Sequence, residues 1–367
     1  MTTPANPPTS GRRYWEPRVN VKEEPMRRRR FIATVIAATG AGTLPGVLSD
    51  AAVAAPDRLN GSTTLPNVIT DLNADVWRTG AAYVAPQSAP ARAELLHVAQ
   101  WQWAQAVVIA NRAARTPLKV RALSLEAEAT RQLAMICADR FDYLSATKLY
   151  RLAQGAAQRA GDHELTAWIR TSWAYMPLYV GNLDRAEAIA GTALTALTQA
   201  DRPGGRAAAC AHALQARARA ARGDKEGVAE AMSQAYGAMG RYTDAGSPML
   251  PAAHHPQRFA WVKLHLATAE AFAALGEEQH HTRAYEAAMA DSSVSAMHKP
   301  MLDLGAAEVA SDPAHAARTA LTVLRSMTNP PNPVVGRARA LATRAAKKAP
   351  RNDDVQALRT HILTLGR

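Results

Sequence analysis

The chain has 367 residues and a formal net charge of +12, concentrated at its two ends. Residues 1–58 carry nine Lys and Arg against five Asp and Glu, and residues 335–367 carry eight against two. A nucleic-acid reader more often has a basic face with interleaved aromatic residues, so we do not expect direct DNA binding, and we expect the basic termini to make only weak, salt-sensitive contacts with anionic surfaces.

The first segment, residues 1–58, is predicted to be a disordered basic leader. Its first 25 residues contain five prolines and little apolar periodicity, which is typical of disorder. The next stretch, Met26–Leu48, reads MRRRRFIATVIAATGAGTLPGVL. It is either a basic linker of a cytoplasmic protein or a twin-arginine export signal.

The export interpretation depends on a short motif, whose core would be Arg28, Arg29 and Phe31. A moderately apolar run follows, and the small residues Ala52–Ala54 offer a cleavage site. Two features oppose it: no Ser or Thr precedes the arginines, and Pro45 and several glycines interrupt the run. We therefore favour a cytoplasmic location and keep export as the alternative.

Residues 59–120 are predicted to form a helical lead-in. From about Pro90 the apolar residues recur at three- and four-residue intervals, as at Leu95, Val98, Trp101 and Val108. This spacing places them on one face of an amphipathic helix.

Residues 121–367 contain internal repeats of two helices each. Three hairpins are predicted first, with their inter-helix turns beginning near Asp139, Gly181 and Gly223, a step of 42 residues on both occasions. Their helices are expected near Arg121–Ala138, Tyr143–Ala160, His163–Val180, Arg185–Ala200, Arg206–Arg222 and Val228–Gly240. Gly or Asp at each turn ends the first helix and lets the second fold back.

The repetition predicts an all-α fold, because one hairpin cannot bury its own apolar face and must stack on its neighbours. A fourth unit starts at Phe259, and a fifth has its turn at Asp312–Pro313. A final pair over Gly336–Leu365 is expected to cap the array, with Asp353 or Asp354 as the N-cap. The product is an α-α superhelical solenoid with a concave surface.

Small or aromatic residues around a glycine turn, as in PLYVGNLDRAEAIAGTAL and ARARAARGDKEGVAEAM, resemble tetratricopeptide repeats. The step is longer than the usual thirty-four of that family. The plan of a basic segment, an apolar run and such hairpins resembles the C-terminal sensor region of bacterial Xre-type helix-turn-helix transcriptional regulators. We expect no helix-turn-helix domain before Met26, because such a domain would need about sixty residues of amphipathic helices. The resemblance implies regulation by binding a peptide, a small signal or another protein.

The sequence offers no set of residues for catalysis, so we expect a protein that is not an enzyme and needs no cofactor or metal. It has no Walker-type phosphate loop, no G-x-S-x-G elbow and no H-E-x-x-H pair. Cys137 and Cys210 are expected to be buried thiols. The pairs His254–His255 and His280–His281 lack the spacing of helix-borne metal ligands and are expected in solvent.

The concave groove is the remaining candidate site, and first helices of hairpins are expected to line it. In tetratricopeptide domains these helices carry the ligand contacts, which here implies a protein or peptide partner. The candidates are Arg170, Trp173, Tyr175, Gln215, Arg217 and Arg219. Their arginines could clamp a peptide carboxylate or backbone; alternatively, Trp173 and Tyr175 belong to the core and the arginines to a solvated face.

Overall fold

The architecture was analysed in a computed structural model, which describes residues 64–84, 89–199, 205–241, 261–290, 298–327, 330 and 332–365. These residues form fourteen α-helices and no strands, so the all-α prediction is confirmed. The helices are α1 Leu65–Val84, α2 Ala89–Ala113, α3 Lys119–Asp139, α4 Tyr143–Ala160, α5 His163–Tyr179, α6 Leu183–Gln199, α7 Arg206–Ala221, α8 Lys225–Gly240, α9 Trp261–Leu275, α10 Glu278–Met289, α11 His298–Val309, α12 Pro313–Arg325, α13 Asn332–Lys348 and α14 Asp353–Leu365.

Consecutive helices pair into hairpins, and the hairpins stack through their first helices. Each odd-numbered helix packs against the odd-numbered helix of the next hairpin, from α1 through to α13. From α2 to α10, the even-numbered helices make few or no contacts with one another in the described part of the chain. The odd-numbered helices therefore form a continuous row on the shorter, inner side of the array, as expected of a solenoid. We call this row of helices the inner row, or odd row.

Four of the hairpin turns, from α3–α4 to α9–α10, share a residue in the left-handed conformation between the two helices. Gly181, Gly223 and Gly276 have φ values of 79°, 80° and 74°, and Phe141 takes this place in the α3–α4 turn with φ 63°. Measured between these residues, the first step is 40 residues and the second is 42. The predicted equal step is thus wrong by two residues, because the first turn lacks the glycine that marks the others.

Side-chain caps then start several helices. The carboxylates of Asp142, Asp162 and Asp224 accept hydrogen bonds from backbone N–H groups three residues later, at 3.0, 2.9 and 2.9 Å. At α14 the predicted cap is wrong. Asn352, rather than either aspartate, accepts from the backbone of residues 354 and 355 at 3.1 and 3.2 Å, which leaves both aspartates in the first turn, where a helix dipole favours acidic side chains.

Small side chains dominate the core between the stacked helices. In α7, for example, eight of the ten buried residues in the sequence RAAACAHALQARARAA are alanines. Alanine lets helices approach closely and has the highest helix propensity. No helix among the described residues combines the length and hydrophobicity needed to cross a bilayer. The leader and the motif at Arg28, Arg29 and Phe31 lie outside the described residues.

Candidate functional site

The six candidate groove residues lie on α5 and α7, but they do not share one surface. Arg170 donates from Nη1 to the carbonyl oxygen of Thr192 on α6 at 2.5 Å. Arg219 donates from Nε to Glu187, also on α6, at 2.9 Å, and from Nη1 to the Gly227 carbonyl on α8 at 3.1 Å. These two arginines therefore join first helices to second helices.

Gln215 and Trp173 are also held within the fold. The Gln215 side chain lies next to Gly191 of α6 and bonds His212 on its own helix at 3.3 Å. Trp173 stacks on the buried Tyr150 of α4, with ring centroids 6.1 Å apart. Trp173 is half-buried, and its Nε1 is buried without a hydrogen-bond partner among the described residues.

Tyr175 and Arg217 do meet, and Tyr179 joins them on the inner row. The Arg217 guanidinium lies 5.6 Å from the Tyr175 ring centre and 5.8 Å from that of Tyr179, within the range of cation–π attraction. The two tyrosine rings stack at 5.8 Å. Tyr175 is half-buried, whereas 46% of Tyr179 is exposed.

Glu270 of α9 fixes this arrangement from the third helix in the row. Its carboxylate accepts from Nε of Arg217 at 2.9 Å, and both side chains are largely buried. Burial alone would lower the pKa of Arg217, but Glu270 and the tyrosines raise it instead. Burial also raises the pKa of the Tyr175 hydroxyl well above its ordinary value. Arg217 therefore stays charged and Tyr175 stays neutral at physiological pH.

The ion pair at Glu270 continues into a ladder of alternating charges across four odd helices. Glu270 also accepts from Arg337 of α13 at 2.8 Å, and Arg337 in turn holds Glu308 of α11 through two bonds of 3.1 and 2.7 Å. Arg344 lies two helical turns after Arg337 on α13, and its ion pair with Glu308, at 3.1 Å, ends the ladder. Arg217 is thus part of a structural ladder as well as of the tyrosine surface.

A second buried ion pair lies nearer the N-terminus of the row. Arg131 donates from Nε and Nη2 to the two carboxylate oxygens of Glu128, at 2.9 and 2.6 Å, and both residues are about 1% exposed. Arg131 also reaches Ser172 of α5 at 3.3 Å and lies 5.9 Å from the Trp168 ring. The Glu-x-x-Arg spacing in an apolar helix could have indicated this pair.

Between the two ion-pair clusters lie Cys210 and Lys263. The Cys210 sulfur is 3.9 Å from the Tyr175 hydroxyl, and burial raises the pKa of its thiol to about 11. Burial raises the pKa of Cys137 to about 12. Both thiols are free and buried, as predicted. Burial, reinforced by Arg131, lowers the pKa of Lys263 to about 8.

The histidine prediction is wrong for one member of the pair that the structure describes. His281 is only 2% exposed, and its Nδ1 lies 3.0 Å from the carbonyl oxygen of Ala269, because it faces α9 across the hairpin. His280 is exposed and stacks on Phe272 at 4.8 Å. The pair His254–His255 lies outside the described residues. Within those residues no three His, Cys, Asp or Glu side chains form a metal-binding group.

The inner-row site can present aromatic and cationic groups to a partner, with Tyr179 at its exposed rim and Arg217 beneath it. Its geometry positions these groups through ion pairs rather than through loops, which keeps their orientation fixed. Comparison with protein-family models, curated proteins and solved structures gave no match to this chain.

Proposed function

We propose that this protein is a non-catalytic helical-repeat protein that binds a protein or peptide partner on its inner row and acts in regulation. One observation carries the proposal: two stacked tyrosines, one of them 46% exposed, are held over Arg217. Tyrosine and arginine are the residue types enriched at interface hot spots. Rigid presentation also lowers the entropy cost of binding.

The structure supports different roles for the candidate residues. Tyr175 and Tyr179 are the proposed contacts, and Arg217 is a positioning residue, because its Nε is engaged with Glu270. Arg170 and Arg219 are engaged with second helices and are not part of the proposed surface. The regulatory part of the proposal rests on the resemblance of the repeats to the sensor regions of Xre-type regulators, and it includes no direct contact with DNA.

Affinity capture with the full chain tests the binding surface. We would immobilise the wild-type protein, Tyr179→Ser and Leu363→Ser, and expose each to a membrane-free lysate of the native host. Leu363 is 71% exposed on α14 and is the matched control for removal of an exposed apolar group. We expect the wild type and Leu363→Ser to capture the same amount of the same partner. Tyr179→Ser should capture at least about ten-fold less of it.

The three proteins must have the same midpoint temperature of thermal unfolding, so that a loss of capture cannot be due to a loss of folding. The binding surface is wrong if Tyr179→Ser captures the partner as well as Leu363→Ser does. The regulatory role has its own readout, since transcript levels in the native host should change in the same way in a deletion strain and in a Tyr179→Ser strain. Unchanged transcripts in both strains would refute the regulatory role while leaving the binding result intact.

A further inference from the structure

Exposed apolar side chains gather at two neighbouring hairpin turns. Phe141 and Leu144, at the α3–α4 turn, are 59% and 69% exposed, and Val180, at the α5–α6 turn, is 55% exposed. We call these three residues the turn patch. The two turns follow the C-terminal ends of α3 and α5, which pack against each other, so the turns lie on the same edge of the array.

The backbone conformation of Phe141 lowers the stability of the fold. Phe141 has φ 63°, and the equivalent turn residues of the next three hairpins are glycines with φ of 79°, 80° and 74°. A residue with a Cβ loses about 1–2 kcal/mol in this conformation. The Phe141 ring makes an edge-on contact with Tyr143, with centroids 6.1 Å apart, but 59% of the side chain still faces solvent, so packing offsets only part of this cost. A strained residue that does not serve stability indicates a function at that position.

Cations without ion-pair partners in the described part of the chain surround the turn patch. Arg140 precedes Phe141, Arg185 lies in the first turn of α6 after Val180, and Arg151 lies seven residues after Leu144 on the same face of α4; all three are exposed. The neighbouring carboxylates are engaged. Asp142 accepts from the backbone N–H of Ser145 at 3.0 Å, and Asp184 pairs with Arg222 at 2.6 Å. Asp142 keeps its charge, and Asp139 lies in the same turn, so the three arginines against these two aspartates leave the turn patch with a net charge of +1.

The shape of the patch favours a deformable partner over a pocket. Its side chains project from the tips of two turns, so a protein partner would need a matching apolar cavity for each tip. A cleft of about 450 Å³ on this chain, between α10, α11 and α12, does not suit a second copy, since Glu278, Asp312, His315 and Arg318 are among the residues that line it. A lipid interface accepts apolar tips at any spacing and places its headgroups against arginines.

We propose that the turn patch inserts into the interfacial region of an anionic lipid membrane, with Arg140, Arg151 and Arg185 contacting the headgroups. Phe141 and Leu144 enter the boundary between headgroups and acyl chains, and Val180 follows from the second turn. The contact is peripheral and leaves the inner row, with Tyr175 and Tyr179, free for the proposed partner.

Vesicle co-sedimentation of the full chain tests this proposal with a substitution that should not harm folding. Phe141→Gly installs the residue that the other three hairpin turns use, so the variant should be as stable as the wild type or more stable. We expect wild-type protein to bind phosphatidylcholine vesicles only when they contain phosphatidylglycerol, and to bind less at high salt. Phe141→Gly should weaken that binding about ten-fold or more.

Two further variants complete the test. Leu363→Ser removes an equally exposed leucine outside the patch and should leave vesicle binding unchanged. Arg140→Gln combined with Arg185→Gln should abolish the preference for phosphatidylglycerol. Absence of vesicle binding overturns the proposal, and so does binding that Phe141→Gly leaves unchanged, which would assign the lipid contact to the basic termini. If sedimentation shows instead that Phe141→Gly dissolves a dimer, the patch is a protein interface and the lipid proposal is wrong.

Discussion

Two glycines in the second helices of consecutive hairpins should respond to alanine in opposite directions. A Cβ at Gly191, inside α6, would meet only the Gln215 amide at 3.9 Å, so Gly191→Ala should stabilise the protein by about 0.5–1 kcal/mol through helix propensity. A Cβ at Gly227 would lie 2.7 Å from Cγ of Asp224 and 2.8 Å from Cδ of Arg219. Gly227→Ala should therefore displace the Asp224 cap and destabilise the protein by about 1 kcal/mol.

Urea unfolding followed by circular dichroism measures both changes. The two variants control for each other, because each makes the same substitution within a helix. If Gly227→Ala were as stable as Gly191→Ala, the Asp224 side chain would have to keep its cap while making room for a methyl group, and the close approach seen at this turn would have no energetic consequence.

Residue identities encode some of these local features and not others, for a physical reason. The caps at Asp142, Asp162 and Asp224 follow from Asp placed before an apolar-periodic segment. The left-handed Phe141 could not be predicted, since a phenylalanine normally avoids that conformation. His281 was misjudged because its burial depends on packing against α9, which no local pattern encodes.

At the scale of the elements, the ion-pair ladder connects hairpins whose helices are far apart in the chain. Glu270 and Arg337 are separated by 67 residues, yet they bond at 2.8 Å inside the odd row. Arg337 makes four hydrogen bonds, to Glu270, to both oxygens of Glu308 and to the Met301 carbonyl. Its side chain is 11% exposed. The ladder thus couples α9, α11 and α13 directly.

Arg337→Met should destabilise the protein by about 3 kcal/mol at neutral pH, because Glu270 then keeps only Arg217, and Glu308 keeps only the half-exposed Arg344, as an ion-pair partner. Arg318→Met is the matched control. Arg318 pairs with Asp354 at 2.5 Å, but 53% of its side chain is exposed, so its loss should cost about 1 kcal/mol or less. Equal effects of the two substitutions would show that burial of the ladder has no energetic weight.

The penalty of Arg337→Met should also depend on pH. Burial would raise the pKa of Glu308, but Arg337 and Arg344 hold it below its ordinary value of 4.5. In the wild type the unfolded chain therefore binds more protons near and below that pH, and stability is lost as the pH falls. Without Arg337, only Arg344 still opposes the effect of burial, so the pKa of Glu308 moves up from its wild-type position and less stability is lost as the pH falls. Urea unfolding at about pH 7 and about pH 4 should show a smaller penalty at the lower pH.

Helix positions were more predictable than side-chain directions. The segment Tyr143–Ala160 was predicted with both ends correct, because an apolar stripe of period 3.6 lies between Asp142 and Gly161. The groove candidates were less well placed. Gln215, Arg217 and Arg219 follow at two-residue intervals, and residues two apart point to different faces of a helix. Of these three, only Arg217 meets Tyr175.

At the scale of the whole molecule, positive charge is distributed between folded and terminal parts. Many folded arginines are used in ion pairs, as in the ladder and at Arg219 and Arg222. The eight Lys and Arg of residues 335–367 include Arg337 and Arg344, so part of that basic end is structural. Each such ion pair contributes zero to the net charge, so the +12 comes from cations other than these paired arginines.

The last prediction concerns the cellular address, which depends on Met26–Leu48 and not on the repeats. Pro45 and the glycines interrupt the apolar run, and no Ser or Thr stands directly before the arginine run at Arg28. We therefore expect intact mass and N-terminal sequencing of protein from the native host to show an uncut chain. Cleavage by an export system would give a start near Ala55. The double variant Arg28→Lys, Arg29→Lys should then restore the uncut mass. The control variant Arg12→Lys, Arg13→Lys should still be cut. A start near Ala55 that behaves in this way would establish export and refute the cytoplasmic location.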